Sequence, residues 1–209
     1  MDYIFFDFNG TLVDDVDLCL YLLNVMLKSC DHDEVSKDRY LDIFTFPVKE
    51  YYVRAGFDFE KDDWDELASF FVKEYKIRNV DCKLFDDIVS TLKTLKEKGK
   101  HLYILSASEK NMLLEQLKMY GIESYFDEIL GKDNIYAEGK EEMGKNYMKK
   151  MNLPSDKCVF VGDTLHDEET AYAMGIKCYL VSRGHQSEKV LKTSSSKVFN
   201  TIAEINFDE

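Results

Sequence analysis

The sequence predicts an α/β fold: a doubly wound, mainly parallel sheet with a helical cap subdomain inserted after the first strand. Three observations carry this expectation. Short, continuously apolar runs recur at residues 3–6, 102–105, 158–161 and 178–181, and continuous rather than alternating apolarity belongs to strands covered on both faces. Beyond residue 84 the runs alternate with helix-period stretches, the order of βα units. Some seventy residues between the first run and the next read as helices only, more than a single crossover needs.

The elements follow in order. Val16, Leu20, Leu23 and Leu27 fall on one helical face. A second stripe, Trp64, Leu67, Phe71 and Tyr75, begins at a cap formed by Asp63 with Glu66 three residues on. Aromatic residues at this spacing, with Phe70, read as core. Ile88, Leu92 and Leu95 form a third stripe closed by Gly99, and Ser108 is the expected cap of a helix that Gly121 stops. Residues 129–130 and 198–199 mark two weaker strands. The predicted division is residues 1–13 and 85–209 as α/β core and 14–84 as helical cap. Ligands of open α/β sheets bind beyond the carboxyl ends of the strands, so an insert leaving strand one covers that crevice.

Bulk composition restricts the partners. Hydrophobic residues make up 45% and charged residues 32%, with two prolines and no low-complexity tract, as in soluble globular proteins. The net charge of -13 disfavours nucleic acid, whose binding rests on neutralising phosphates. An anionic substrate needs a local exception to that field, from a metal ion or placed cations. Five cysteines without C-x-x-C spacing fit a reduced, cytoplasmic chain. The first residues lack the basic region of a signal peptide, and no apolar run approaches the ~20 residues of a membrane span. Monomer and homodimer are equally compatible with this sequence.

Each predicted strand is followed by polar groups. Asp7, Phe8, Asn9, Gly10 and Thr11 follow the first, and Ser106, Ala107 and Ser108 the second. Gly162, Asp163 and Thr164 follow the fourth, with Asp167 one turn on; Lys140 sits before that strand, near a helix start. Such groups suit phosphoryl transfer. Carboxylates Asp7, Asp163 and Asp167 are an oxygen-donor set for Mg²⁺. A carboxylate can form an aspartyl-phosphate when the phosphoryl charge is neutralised, here by the metal and Lys140. Ser106 and helix-start amides are suited to hold phosphate oxygens.

The constellation resembles the haloacid dehalogenase superfamily. Its first motif, D-x-D-x-T, reads Asp7-Phe8-Asn9-Gly10-Thr11, and its second is matched by Ser106. Lys140 matches the third, and Gly162-Asp163-Thr164-Leu165-His166-Asp167 the fourth, G-D-x-x-x-D. The run from Gly162 through Met174-Gly175-Ile176, and the helical insert, are similar to the phosphoglycolate phosphatase and β-phosphoglucomutase branch. The resemblance spans residues 1 to about 182. It implies Asp7 as nucleophile and metal ligand, with Mg²⁺ also on the main-chain carbonyl of Asn9 and the side chain of Asp163. Asp167 anchors metal waters or Lys140. Gly10, Thr11, Ser106, Ala107 and Lys140 surround the phosphate of a small phosphorylated metabolite, and Thr11 supports the loop.

One position departs from the pattern. Family phosphatases carry a second Asp where this chain has Asn9, and an amide does not exchange a proton near neutral pH. That general acid–base help is worth ~10²–10⁴-fold. Slow turnover, restriction to good leaving groups, a substitute from Asp14, Asp15 or His166, dehalogenase- or mutase-type chemistry, and binding of a phosphorylated ligand or partner without turnover all follow as alternatives. His185 follows the fifth strand and either approaches the site mouth or caps a turn. In the insert, Arg54 is the candidate for bidentate contact with an anionic substrate.

Overall fold

In the computed structural model, which describes residues 1–133 and 139–208, the first apolar run forms β1 (Tyr3–Phe6). The chain then makes a short strand, β2 (Val13–Asp14), and enters four helices: α1 (Val16–Ser29), α2 (Lys37–Ile43), α3 (Val48–Ala55) and α4 (Trp64–Arg78). The Asp63 carboxylate caps α4, accepting from the amides of Asp65 and Glu66 as the sequence predicts. The return strand β3 (Lys83–Leu84) pairs antiparallel with β2 in a two-residue ribbon that the sequence pattern does not announce. These helices bury their apolar faces on a cluster of their own, including Val16, Leu23, Leu27, Tyr40, Tyr51, Leu67 and Tyr75.

The rest alternates strand and helix: α5 (Ile88–Glu97), β4 (His101–Glu109), α6 (Lys110–Met119), β5 (Glu128–Lys132), α7 (Glu141–Met151), β6 (Cys158–Gly162), α8 (Leu165–Met174), β7 (Lys177–Val181), α9 (Glu188–Leu191) and β8 (Lys197–Phe199). Six strands form one parallel sheet in the order β5-β4-β1-β6-β7-β8. Both faces are covered: Ile4, Phe6, Ile104 and Val161 pack in one layer, Phe5, Leu105 and Phe160 in the other. That two-sided burial is why these strands read as continuous rather than alternating apolarity. No helix among the described residues is long and apolar enough to cross a membrane.

One strand end, and with it one helix cap, differs from the sequence expectation. β4 runs past residue 105 to Glu109, with a register shift against β5 between Leu105 and Glu109. Ser108 therefore does not cap α6. Glu109 does, its carboxylate accepting from the amides of Asn111 and Met112. The longer acidic side chain reaches two amides of the first turn, which frees the Ser108 hydroxyl for another partner.

Register positions the chemistry. Phe6 pairs with Ile104 on one side and Val161 on the other, so Asp7 leaves the sheet level with Leu105 and Ser106 of β4 and with the end of β6. β1 is also where the connections diverge, toward β4 on one side and β6 on the other, and that switch point is where open α/β sheets bind ligands.

Candidate active site

Asp7 sits directly after β1, its amide donating to the carbonyl of Val161 (2.9 Å). Gly10 turns the chain behind it with φ +69, a conformation that favours glycine. A Cβ at Gly10 would collide with the Asp163 carboxylate and stand 2.6 Å from Cδ2 of His185. Thr11 is buried, and its hydroxyl donates to Oδ1 of Asp163 (2.8 Å), tying the first strand end to the fourth motif. Its hydroxyl thus serves the loop.

Carboxylate oxygens of Asp7, Asp163 and Asp167 lie within 4.8 Å of one another. Lys140, buried at the start of α7, donates to both Asp7 and Asp167 (2.8 Å to the latter) and lies 4.9 Å from the Phe160 ring centroid. Two of the three carboxylates thus share one ammonium, while Asp163 is held by the Thr11 hydroxyl and the His185 amide. Burial pushes the Asp7 carboxyl up to about 7, against the pull of Lys140, with Asp167 and Asp163 adding to the rise. Burial likewise lifts Asp163 to about 6, opposed by His185. Burial works against the charge of Asp167 too, but Lys140 holds it below the usual carboxylate range. Its Oδ2 also accepts from the amides of Asp163 (3.0 Å) and Thr164 (2.9 Å) and from the Thr164 hydroxyl (2.8 Å). A compact, buried, oxygen-only donor set with excess negative charge fits a hard divalent cation such as Mg²⁺.

Ser106 is buried within β4, just past its pairing with β1, with its Oγ accepting from the amide of Ser108 (3.1 Å), and Ala107 lies beside it. Ser106, Ala107 and Lys140 all line the cavity around Asp7. The Asn9 side chain lines the same cavity but bonds to a second set of groups. Its Nδ2 donates to Oδ2 of Asp15 (2.7 Å) and to the Tyr75 hydroxyl (2.6 Å), and its Oδ1 accepts from the Ser108 hydroxyl (2.8 Å).

Asp15 is the hub of this second network. Its Oδ1 accepts from the Gly10 amide (3.0 Å) and lies 3.3 Å from Nε2 of His185; its Oδ2 accepts from Tyr75 (2.7 Å). Burial alone would raise the Asp15 carboxyl, but the His185 charge and these hydrogen bonds hold it below the ordinary value. The His185 ring, whose Nδ1 meets the Tyr40 hydroxyl (2.7 Å), is pushed up to about 9: burial lowers it, but Asp15 outweighs burial. The His185 main-chain amide donates to Asp163 (2.6 Å), joining the two networks.

From the sequence Asp15 stands only among substitute acids, His185 between two roles, Tyr75 as core and Ser108 as a helix cap, and Tyr40 is not singled out. The signal for Asp15 was a carboxylate directly preceding an apolar helix face; nothing local marks Tyr40. Asp14 is exposed on β2, and His166 stacks on Phe46 (ring centroids 4.5 Å apart) outside the cavity lining. Arg54 is a correction. It lies on the outer face of α3, paired with Glu50 (2.5 Å), while Tyr51, Tyr52 and Ala55 occupy the inner face, so its guanidinium does not reach the crevice.

Between the strand ends and the inserted helices lies a cavity of about 170 Å³ floored by Asp7, Asp163, Lys140 and Ser106. A family model described as haloacid dehalogenase-like hydrolase matches residues 4–181. The chain is 24% identical over 192 residues to a 5'-nucleotidase of Pseudomonas aeruginosa, covering 90% of this chain and 86% of that protein. It is 24% identical over 214 residues to a phosphoglycolate phosphatase of Colwellia psychrerythraea, covering 98% and 95%. The solved structure of a predicted phosphatase from Clostridium acetobutylicum superposes with TM-score 0.81 at 23% identity, covering 97% and 95%, and shares the fold.

Proposed function

Because the chain belongs to the haloacid dehalogenase-like hydrolase family, we propose that it hydrolyses a small phosphorylated metabolite through a phospho-aspartyl intermediate on Asp7. The observation that carries this reading is the cluster of Asp7, Asp163 and Asp167, with the Lys140 ammonium paired to Asp7 and Asp167, at the floor of a covered cavity. Phosphatase and nucleotidase names among the relatives support the same reaction class.

In this reading Asp7 attacks phosphorus, the ester P–O bond breaks, and water then splits the aspartyl-phosphate to restore the carboxylate. Lys140 turns from Asp7 toward a phosphoryl oxygen while Asp167 keeps hold of it. The Ser106 hydroxyl and the strand-end amides receive the other oxygens. Asp7, Asp163 and the Asn9 main-chain carbonyl, with Asp167 behind, would hold Mg²⁺, which would neutralise phosphoryl charge. Residues 14–84 act as the cap that admits substrate and then excludes water.

The test is phosphate release from a panel of phosphorylated metabolites, with Mg²⁺ and with chelator. Asp7→Asn should fall to background, and turnover that survives it would overturn the reading. The amide at Asn9 favours a second reading, capture of a phosphorylated ligand without turnover. Silence in the native chain with turnover in Asn9→Asp would select it.

A further inference from the structure

Resting on the phosphatase reading, we infer that the substrate is a small aryl phosphomonoester, an ester of a phenolic ring that carries no second anionic group. Two independent features point to it. One is the cavity wall and the other is the saturation of the groups around Asn9.

Above the polar floor the wall is built by Phe44, Phe46, Val48, Phe71, Val72 and Met112. Tyr40 and Tyr75 also line the cavity, but both are buried and their hydroxyls are engaged by His185 and Asp15, so neither offers a free polar group. Among the described residues the lining holds two cationic side chains, Lys140 and His185, and each already faces a carboxylate. Glu109 lines the cavity as well. A carboxylate or second phosphate on the leaving group would be stripped of water with no free cation to meet. Burying an unpaired charge is among the costliest events in a protein interior. The hydroxyls of a sugar would meet the same apolar wall with few partners. A flat ring instead gains contact with the faces and edges of the aromatic side chains.

The second feature concerns the proton that a departing oxygen needs. The Asn9 amide has no exchangeable proton to give, and its three polar functions are all engaged. The groups around it offer no replacement. Asp15 accepts from Gly10, Asn9 and Tyr75 while facing His185; both ring nitrogens of His185 have partners; the Tyr75 proton is directed to Asp15. A leaving alkoxide would depart unassisted. A phenolate, whose conjugate acid has a pKa of about 10, leaves without prior protonation.

The reaction balances on these terms. An Asp7 oxygen bonds to phosphorus as the P–O(aryl) bond breaks, and the electron pair leaves with the phenolate, which takes its proton from solvent. Water then cleaves the aspartyl-phosphate, releasing phosphate and restoring the carboxylate. The sum is aryl phosphate plus water to phenol plus phosphate.

Phosphate release from phenyl phosphate, benzyl phosphate and phosphoglycolate, by the native chain and by Asp7→Asn at one pH and Mg²⁺ concentration, separates the features. Phenyl against benzyl tests the missing acid; benzyl against phosphoglycolate compares two alkyl esters and tests the wall. We expect kcat/KM for phenyl phosphate to exceed benzyl phosphate by about 100-fold or more, the lower bound of general-acid assistance. Benzyl phosphate should exceed phosphoglycolate, chiefly through KM. A smaller phenyl-to-benzyl ratio, or phosphoglycolate at or above benzyl phosphate, overturns the inference, and with Asp7→Asn silent it leaves the phosphatase reading standing. Turnover that persists in Asp7→Asn, or none from all three esters, removes that reading and the inference together.

Discussion

Two polar clusters adjoin at the ends of β1 and β6, and they are neutralised in opposite ways. In the first, Asp7 and Asp167 share Lys140 with the Asp163 carboxylate alongside, which leaves an excess of negative charge in a buried place. In the second, Asp15 faces His185, and Asn9, Gly10 and Tyr75 complete its hydrogen bonds. In the proposed reaction a cation and a phosphoryl group would complete the first cluster; the second is complete already. Burial of unpaired charge is tolerated where something binds, and paired charge is kept where a loop must hold its shape.

Substitutions that break each cluster should therefore fail differently. Lys140→Met removes the phosphate-facing cation and should lower kcat by about 10²–10³-fold, the scale of one lost electrostatic donor. Asp15→Asn leaves a buried imidazolium without its carboxylate and should cost about 3–5 kcal/mol of unfolding free energy. Denaturant unfolding and Mg²⁺ titration on both variants check the contrast. Asp15→Asn should keep a stabilising response to Mg²⁺. Loss of that response in Asp15→Asn would mean that the two clusters form one unit.

The pH dependence of the metal-free chain sharpens the comparison. Asp7, raised to about 7, and Asp163, raised to about 6, stand above the value of 3.8 expected when unfolded, so the folded chain binds more protons in that window. Their contribution to stability falls as pH rises from about 4 through 7. His185 is raised from 6.5 to about 9, so its contribution is whole below 6.5 and is lost as pH climbs through 9. Mg²⁺ relieves the first loss and not the second. At 100 times its Kd, Mg²⁺ should lift Tm by about 5–10 °C at pH 8 and by less at pH 5.5, where the carboxylates carry protons. Thermal scans across pH decide it, and a response independent of pH would separate the metal from these acids.

The first cluster was legible in the sequence because its members follow strand ends, where chain direction and parallel register determine convergence. Asp7, Ser106 and Asp163 each end an apolar run, and Phe6 paired with Ile104 and Val161 brings those ends level. Lys140 lies on no strand end but precedes the fourth motif at the family's distance. The second cluster was scarcely legible, because Tyr40, Tyr75 and His185 come from α2, α4 and the loop after β7, and no local period states how inserted helices dock on a sheet. Ser108 was read as a cap for a similar reason. A serine beside a helix start satisfies the local rule, and only the tertiary position of Asn9 gives its hydroxyl another partner.

Arg54 supplies the smallest expected effect and a control for the whole comparison. Its guanidinium pairs with Glu50 one helical turn away, both half exposed, on the face of α3 opposite Tyr51 and Tyr52. An exposed i,i+4 pair contributes about 0.3–0.5 kcal/mol and is screened by salt. Arg54→Ala should therefore lower stability by no more than about 0.5 kcal/mol and leave kcat/KM within about twofold of native, since a factor of two is under 0.5 kcal/mol. A rise in KM of tenfold or more would mean that α3 rotates toward the cavity when substrate binds. The cap would then contribute a cation absent from the lining described above, and an anionic leaving group would no longer be excluded by the wall.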